Sequence, residues 1–209
     1  MTRTGQGRSK HPSYGLRVAS ASAAVPVRLC LAAFVAVLAA FVVTSSADGA
    51  SRGWSSYLAP SGACTGADDP RASAAVQRGA ITCLVNWARR RDGRVLLTSP
   101  ARVQRAAALK GRGLASCGQL SHTPCGKDAS ASLEATGYEY GWFGENLFFG
   151  PWGEVSARSV VSSWLQSPLH RANVLRPGFR HLGAARVQVS GVFGDGVAAV
   201  WVATFASPR

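Results

Sequence analysis

An unbroken run of fifteen apolar residues, 29–43, lies near the start of the chain, ahead of most of its length. Arg28 and four other basic residues precede this run, and small residues follow it up to Ala47. This order is typical of a secretory signal peptide, whereas a membrane-spanning helix usually needs about 20 apolar residues. We therefore predict that residues 1–47 are a signal peptide outside the fold. The alternative is an uncleaved anchor, because the basic segment is unusually long. In either case the rest of the chain lies outside the cytoplasm.

Four cysteines remain beyond the apolar run, and an even number in an exported chain indicates disulfides: Cys64, Cys83, Cys117 and Cys125. Sequence alone allows three pairings of four cysteines. We favour Cys64–Cys83 and Cys117–Cys125, because each pair closes a short local loop. A four-cysteine metal site is the competing interpretation, and it is weakened by the absence of any C-x-x-C spacing.

The charge of the chain is strongly basic, with a formal net charge of +13 and an isoelectric point of about 10.8. Residues 1–47 hold five basic and no acidic residues, and residues 48–209 hold 18 basic and 10 acidic ones. The only dense basic run, residues 89–91, falls at the predicted end of a helix, where cations suit the helix dipole. We therefore predict no specific nucleic-acid partner. Membrane contact is expected only through the N-terminal segment, if it is uncleaved.

The spacing of apolar residues predicts three longer helices, beginning near Asp68, at residues 99–100 and at residue 155. Residues 48–67 are rich in Ser, Gly and Ala and are predicted to be a flexible lead-in. The aromatic, glycine-rich stretch 138–150 is predicted to be a loop. Beyond residue 178 apolar residues alternate with polar ones, a spacing typical of a strand. Residues 197–205 are almost all apolar and predict a strand buried on both faces. Helices followed by a hairpin indicate an α+β fold.

Histidine and glutamate are the candidate functional residue types, because the signatures of serine hydrolases, zincins and nucleotide-binding loops are absent. His122 lies between Cys117 and Cys125, Glu145 lies between aromatic residues, and His170 follows a Ser-Pro step. Ionisable groups in glycine-rich or interrupted segments point weakly to a site. The alternative for each histidine is a structural role, capping a helix or binding a backbone carbonyl.

The order of several motifs resembles the bacterial branch of the CAP superfamily, the SCP/PR-1-like family: Leu120-Ser121-His122-Thr123-Pro124, Gly144-Glu145-Asn146-Leu147, residues 164–175, Leu182-Gly183 and Trp201-Val202-Ala203-Thr204-Phe205. The first helix, from Cys83, is also similar. The resemblance implies a three-layer α-β-α sandwich with a central cleft. On this basis residues 68–209 are expected to form the CAP domain.

The resemblance also implies the residues of the cleft, which are His122, Glu145 and His170. A second acidic residue is usual in the eukaryotic branch, and Ser167 occupies that position here. Two imidazoles and one carboxylate suit zinc or another divalent metal with an open coordination position. Without a metal, Glu145 could instead hold one imidazole by a charge-assisted hydrogen bond in a structural polar cluster.

The favoured function is a secreted or cell-surface binding module whose cleft holds a divalent metal or a small apolar ligand. A lipid, cell-wall material or a protein is the expected partner. The alternative is a metal-assisted hydrolase acting on a peptide or cell-wall substrate, with His122, Glu145 and His170 as catalytic candidates. The aromatic residues 138–152 are expected mainly to pack around Glu145, and alternatively to line an apolar groove.

Overall fold

A three-stranded antiparallel sheet lies at the centre of the described residues, 53–191 and 196–209, of this computed structural model. The predicted signal segment, residues 1–47, lies outside them. Five α-helices and the three strands follow one another along this part of the chain: α1 (Ala74–Arg91), α2 (Ala101–Cys117), α3 (Ala131–Glu134), β1 (Tyr140–Pro151), α4 (Ala157–Gln166), α5 (Pro168–Leu175), β2 (His181–Ser190) and β3 (Val197–Pro208). Short 3₁₀ helices lie at Trp54–Tyr57 and Pro124–Gly126.

Strand β3 is the middle strand, with β1 on one side and β2 on the other. Its apolar run is buried on both faces, as predicted, because helices cover both sides of the sheet. Trp201 and Phe205 pack on the side of α1 and α4, whereas Val200 and Val202 pack on the side of α2. The alternation follows from the two-residue period of a strand. The predicted α+β class and three-layer α-β-α sandwich are confirmed.

Close contact between α2 and β2 depends on a glycine in the strand. A Cβ atom built on Gly183 would lie 2.1 Å from the Val103 carbonyl oxygen of α2. Any side chain at this position would push the helix off the sheet. Helix α2 ends at Cys117, where Gly118 adopts a left-handed conformation with φ 63°.

The helix predicted to begin near Asp68 begins instead at Ala74. Its N-cap is Ser73, whose hydroxyl oxygen accepts a hydrogen bond from the Val76 N–H at 3.3 Å. The Asp68 carboxylate is engaged elsewhere, in an ion pair with Arg158 of α4. A capping aspartate and a following proline were therefore a misleading helix signal, because tertiary contacts of the aspartate fix a turn there.

The loop predicted at residues 138–150 is wrong, because this stretch forms strand β1. Main-chain pairing with β3 holds it in a continuous register from Trp142 opposite Ser207 to Pro151 opposite Ala198. Glycine, which lowers the intrinsic tendency to form a strand, serves packing here. A Cβ atom on Gly144 would lie 2.7 Å from the Phe179 ring.

Residues 53–67, expected to belong to a flexible lead-in, pack against the domain. Ala59, Cys64 and Ala67 are buried in the same core cluster as α1 and α4. The predicted Cys64–Cys83 disulfide ties this segment to α1, with a Cα–Cα distance of 5.8 Å. The small side chains of this segment predicted flexibility, but in the folded domain they allow it to pack closely against α1 and α4.

The second predicted disulfide, Cys117–Cys125, is also present, with a Cα–Cα distance of 5.6 Å. It joins the end of α2 to the Pro124–Gly126 turn and so bounds the loop that carries His122. Across the described ranges, none of the helices is both long and apolar enough to cross a bilayer.

Candidate functional site

Glu145 of β1 is the centre of the candidate site. It lies opposite Thr204 of β3, two positions from Val202, and therefore faces the α2 side of the sheet. Its side chain is only 3% exposed, yet one oxygen, Oε1, has two nitrogen neighbours. His122 Nδ1 lies 2.8 Å away and Lys110 Nζ lies 3.0 Å away.

The loop that carries His122 is fixed by both its main chain and its side chain. Lys110 Nζ donates to the His122 carbonyl oxygen at 2.5 Å, while the imidazole Nδ1–H donates to Glu145. A carboxylate only accepts hydrogen bonds, so Glu145 selects the imidazole tautomer that carries its proton on Nδ1. The His122 side chain is 54% exposed, so its Nε2 edge is accessible to a ligand.

Lys110 is the site residue that sequence reasoning missed. It lies on the inner face of α2, and its side chain is 3% exposed. A lysine at this depth is rare unless it is paired. The signal in the sequence was a lysine placed among the apolar residues that form the buried stripe of the helix, between Ala107 and Leu114.

His170 lies in the first turn of α5, and two asparagines hold this helix against β1. Asn146 Nδ2 donates to the His170 carbonyl oxygen at 3.0 Å, and Asn173 Nδ2 donates to the Glu145 carbonyl oxygen at 3.1 Å. Burial lowers the pKa of His170, and the nearby His122 lowers this pKa further. The two imidazoles are thus within electrostatic range of each other, and both effects favour the neutral form of His170.

The other candidate positions lie apart from this contact. Ser167, at the position of the second acid, caps the start of α5, and its N–H donates to the Ser163 carbonyl oxygen at 3.1 Å. His181, the third histidine beyond the signal segment, has its Nδ1 2.5 Å from the Tyr138 hydroxyl, and burial lowers its pKa. It therefore has the structural role expected as the alternative for each histidine.

The donor set does not fit a divalent metal at Glu145. The one carboxylate is already neutralised by the Lys110 ammonium, which lies at hydrogen-bond distance from Oε1. A metal ion bound to this oxygen would be repelled by the ammonium charge, which would lie only a few ångströms away. Among the described residues, no group of three or more His, Cys, Asp or Glu side chains has the arrangement of a metal site.

The aromatic residues of β1 serve mainly as packing. Phe148 and Phe149 contact the core clusters on opposite faces of the sheet, and Tyr138, Tyr140 and Phe143 contact the cluster around Leu133. Two tryptophans near the ends of the strand are instead exposed, Trp142 at 51% and Trp152 at 36%.

Comparison with known families identifies this arrangement. The family model described as "CAP: Cysteine-rich secretory protein family" matches residues 83–205, which include the second half of α1, nearly all of the sheet and all the candidate site residues. The chain belongs to this family. The CAP match starts within α1, at Cys83, and ends at Phe205, so it covers most of the sandwich but neither the first half of α1 nor the packed segment before it. A search of curated proteins finds no match.

Solved bacterial structures share the CAP fold at low sequence identity. An extracellular protein containing an SCP domain from Bacillus anthracis is 20% identical, with a TM-score of 0.53 over 64% of this chain and 41% of that one. An outer surface protein from Borrelia burgdorferi is 17% identical, with a TM-score of 0.54 over 62% of this chain and 90% of that one. A cysteine-rich secretory protein from Staphylococcus aureus is 15% identical, with a TM-score of 0.50 over 66% of this chain and 40% of that one. This chain therefore spans less than half of the Bacillus and Staphylococcus proteins.

Proposed function

We propose that this CAP domain is an exported binding module that takes an uncharged polar ligand group at His122 and His170. The ligand we favour is cell-wall material, whose sugar hydroxyls and amide carbonyls offer such groups. The observation that carries the proposal is the buried contact of Lys110 with Glu145. It balances the only carboxylate of the site internally, so the ligand need not supply a charge.

The two imidazoles are suited to hydrogen bonding with such a ligand. With its proton held on Nδ1 by Glu145, His122 offers Nε2 as an acceptor for a hydroxyl group. Burial and His122 lower the pKa of His170 and so favour its neutral form, which can donate from one ring nitrogen and accept at the other. Exposed leucines accompany both histidines in sequence, with Leu120 45% exposed and Leu169 83% exposed. These leucines can contact the apolar faces of sugar rings or a lipid chain.

Export is supported by three features. The apolar run 29–43 has the order of a signal peptide, two disulfides are bonded in the folded chain, and two similar bacterial structures are described as extracellular or outer-surface proteins. We therefore propose secretion, or anchoring at the outer face of the membrane if the segment is not cleaved.

The test is co-sedimentation of the purified protein with insoluble peptidoglycan. We expect His122→Ala and His170→Ala each to weaken binding about 3–10-fold, the loss expected for one hydrogen bond. His181→Ala is the matched control, because this histidine is bonded to Tyr138 outside the site. Equal binding by all four proteins, or no binding by the wild type, contradicts the proposal. Binding of neutral lipid vesicles instead would reassign the ligand class.

A metal-assisted hydrolase is the second hypothesis, and the electrostatic effect of His122 on the pKa of His170 favours it. It requires the Lys110 ammonium to leave Glu145 when metal binds. Turnover of peptide or cell-wall substrate with added zinc, lost in His122→Ala and His170→Ala, would favour it. Equal background rates in the wild type and both variants would reject it.

A further inference from the structure

A second buried cation lies on the opposite face of the sheet from Glu145. Arg186 of β2 pairs with Trp201 of β3, a residue that points to the side of α1 and α4. Arg186 is 7% exposed, and its guanidinium carbon lies 3.9 Å from the centre of the Trp152 ring and 5.0 Å from that of Trp201. The guanidinium is therefore in contact with two indole rings.

Most of the hydrogen-bond donors in this cluster have no acceptor. Arg186 Nη1 donates to the Ala72 carbonyl oxygen at 3.3 Å, but Nε and Nη2 have no partner within the described part of the chain. The indole Nε1 of Trp201 is also buried and unpaired there. The comparable indole of Trp164 donates to the Leu147 carbonyl oxygen at 3.1 Å.

Arg89 shows how this fold treats a buried guanidinium with a purely structural role. All three of its nitrogens donate to main-chain carbonyl oxygens, those of Val95, Val174, Arg176 and Phe179. Arg186 has a single hydrogen bond of 3.3 Å, which is as long as the longest of the four that Arg89 makes. Asp69 is near enough to affect Arg186 electrostatically, but its carboxylate accepts from the Arg71 N–H at 2.8 Å. Buried donors without acceptors are rare in proteins, and a guanidinium edge that keeps two of them can bind an anion.

We infer that Arg186 and Trp201 form a binding site for a carboxylate group, covered by Trp152. The two unpaired nitrogens of Arg186, Nε and Nη2, form the side-on edge of the guanidinium, which binds both oxygens of a carboxylate in parallel. The indole N–H of Trp201 supplies a third donor. A planar carboxylate can lie in the guanidinium plane beneath the stacked Trp152 ring, whereas a tetrahedral oxyanion projects out of that plane.

Access to this carboxylate site requires movement of Trp152. The unpaired donor atoms are closed to solvent, whereas Trp152, whose ring centre lies 3.9 Å from the guanidinium carbon, is a surface residue that is 36% exposed. Trp152 belongs to the turn after β1, where Gly153 has φ 78°. An outward motion of this one side chain would expose the guanidinium edge, and the ligand would recover hydrogen bonds that the closed state lacks. The carboxylate site shares no residue with the proposed ligand site, and its Arg186 lies on the face of the sheet opposite the Glu145 side chain.

Thermal unfolding of the purified protein in acetate, sulfate and chloride at equal ionic strength tests this inference. Acetate at about ten times its dissociation constant is expected to raise the melting temperature of the wild type by about 3–6 °C over chloride. Sulfate is expected to have a smaller effect. Arg186→Met should abolish the acetate shift, and Arg105→Met, the same change at an exposed position of α2, should keep it.

Trp152→Ala gives a second readout that does not depend on the folding of the Arg186 variant. Removing the cover should lower the acetate concentration needed for half of the shift and leave the requirement for a carboxylate unchanged. The inference is overturned if the wild type shows no acetate-specific shift or if Arg186→Met retains it. It is also overturned if Arg186→Met lowers the melting temperature equally in all three salts, since a purely structural role predicts that result.

Discussion

Replacing Lys110 by methionine tests whether an internal ammonium ion holds the CAP site together. Methionine keeps most of the length and apolar surface of the lysine stem and removes only the charge and its donors. In the wild type, Nζ lies 3.0 Å from Glu145 Oε1 and 2.5 Å from the His122 carbonyl oxygen, and both charged side chains are 3% exposed. Lys110→Met therefore leaves a buried carboxylate without its counter-charge.

The size of the effect follows from this burial. Breaking a buried ion pair by removing one partner costs about 3–5 kcal/mol, and the lost hydrogen bond to the His122 carbonyl adds about 1 kcal/mol. We expect the free energy of unfolding to fall by about 3–6 kcal/mol in urea titrations followed by tryptophan fluorescence. Lys127→Met, the same substitution at an exposed lysine, should change it by less than about 0.5 kcal/mol.

A double-mutant cycle separates the ion pair from general packing. Lys110→Met combined with Glu145→Gln removes both charges. The loss in free energy of unfolding of the double variant should therefore be about 1–3 kcal/mol smaller than the sum of the losses of the two single variants. Zinc should raise the stability of Lys110→Met, in which Glu145 has lost its cation, and leave the wild type unchanged. Three results would contradict this role of Lys110: a cost of Lys110→Met below about 1 kcal/mol, additive effects of the two changes, or equal stabilisation of the wild type by zinc.

Two further predictions concern the histidines and the second disulfide. Burial lowers the pKa of His181 in the folded protein, so the unfolded chain takes up a proton first as pH falls below about 6.5. The free energy of unfolding should therefore decrease as pH falls further, until the pKa of the folded state is passed. In urea titrations from pH 7.5 to 5, the free energy of unfolding of His181→Gln should depend less on pH than that of the wild type. An equal pH dependence in that variant would assign the effect to other groups. Replacing Cys117 and Cys125 together by alanine should lower stability by about 2–3 kcal/mol, from the entropy of the short loop they close, and should broaden the amide resonance of His122. Unchanged stability and an unchanged resonance would show that Lys110 and Glu145 hold the loop without the disulfide.

The parts of the fold that sequence predicted were those with a strong local pattern. Strand β3 is a continuous apolar run, and this pattern is enough to predict burial on both faces. The short cysteine spacings likewise predicted both disulfides. Strand β1 was missed because its apolar and polar residues do not alternate. Main-chain pairing with β3, and not the strand propensity of its own residues, stabilises this strand.

The candidate site was predictable only in part, for a related reason. Motif resemblance selected His122 and Glu145, and the structure brings these two side chains into contact. Their metal-binding role stays a prediction. The decisive neighbour, Lys110, lies on another element, and no local pattern joins a lysine of α2 to a glutamate of β1. Such a pair is apparent only when both sides of the α2–sheet interface are known.

Glu145 connects all three layers of the sandwich, and this determines how its variants must be interpreted. Its side chain binds Lys110 of α2, while its main-chain carbonyl oxygen accepts from Asn173 of α5 at 3.1 Å, on the other side of the sheet. Loss of ligand binding in a Glu145 variant could therefore result either from the lost contacts at the site or from altered packing between the layers. His122 avoids this ambiguity at its exposed imidazole edge, because its backbone is tied separately, through its carbonyl oxygen to Lys110. A binding loss in His122→Ala without a matching loss of stability would thus assign recognition to the imidazole itself.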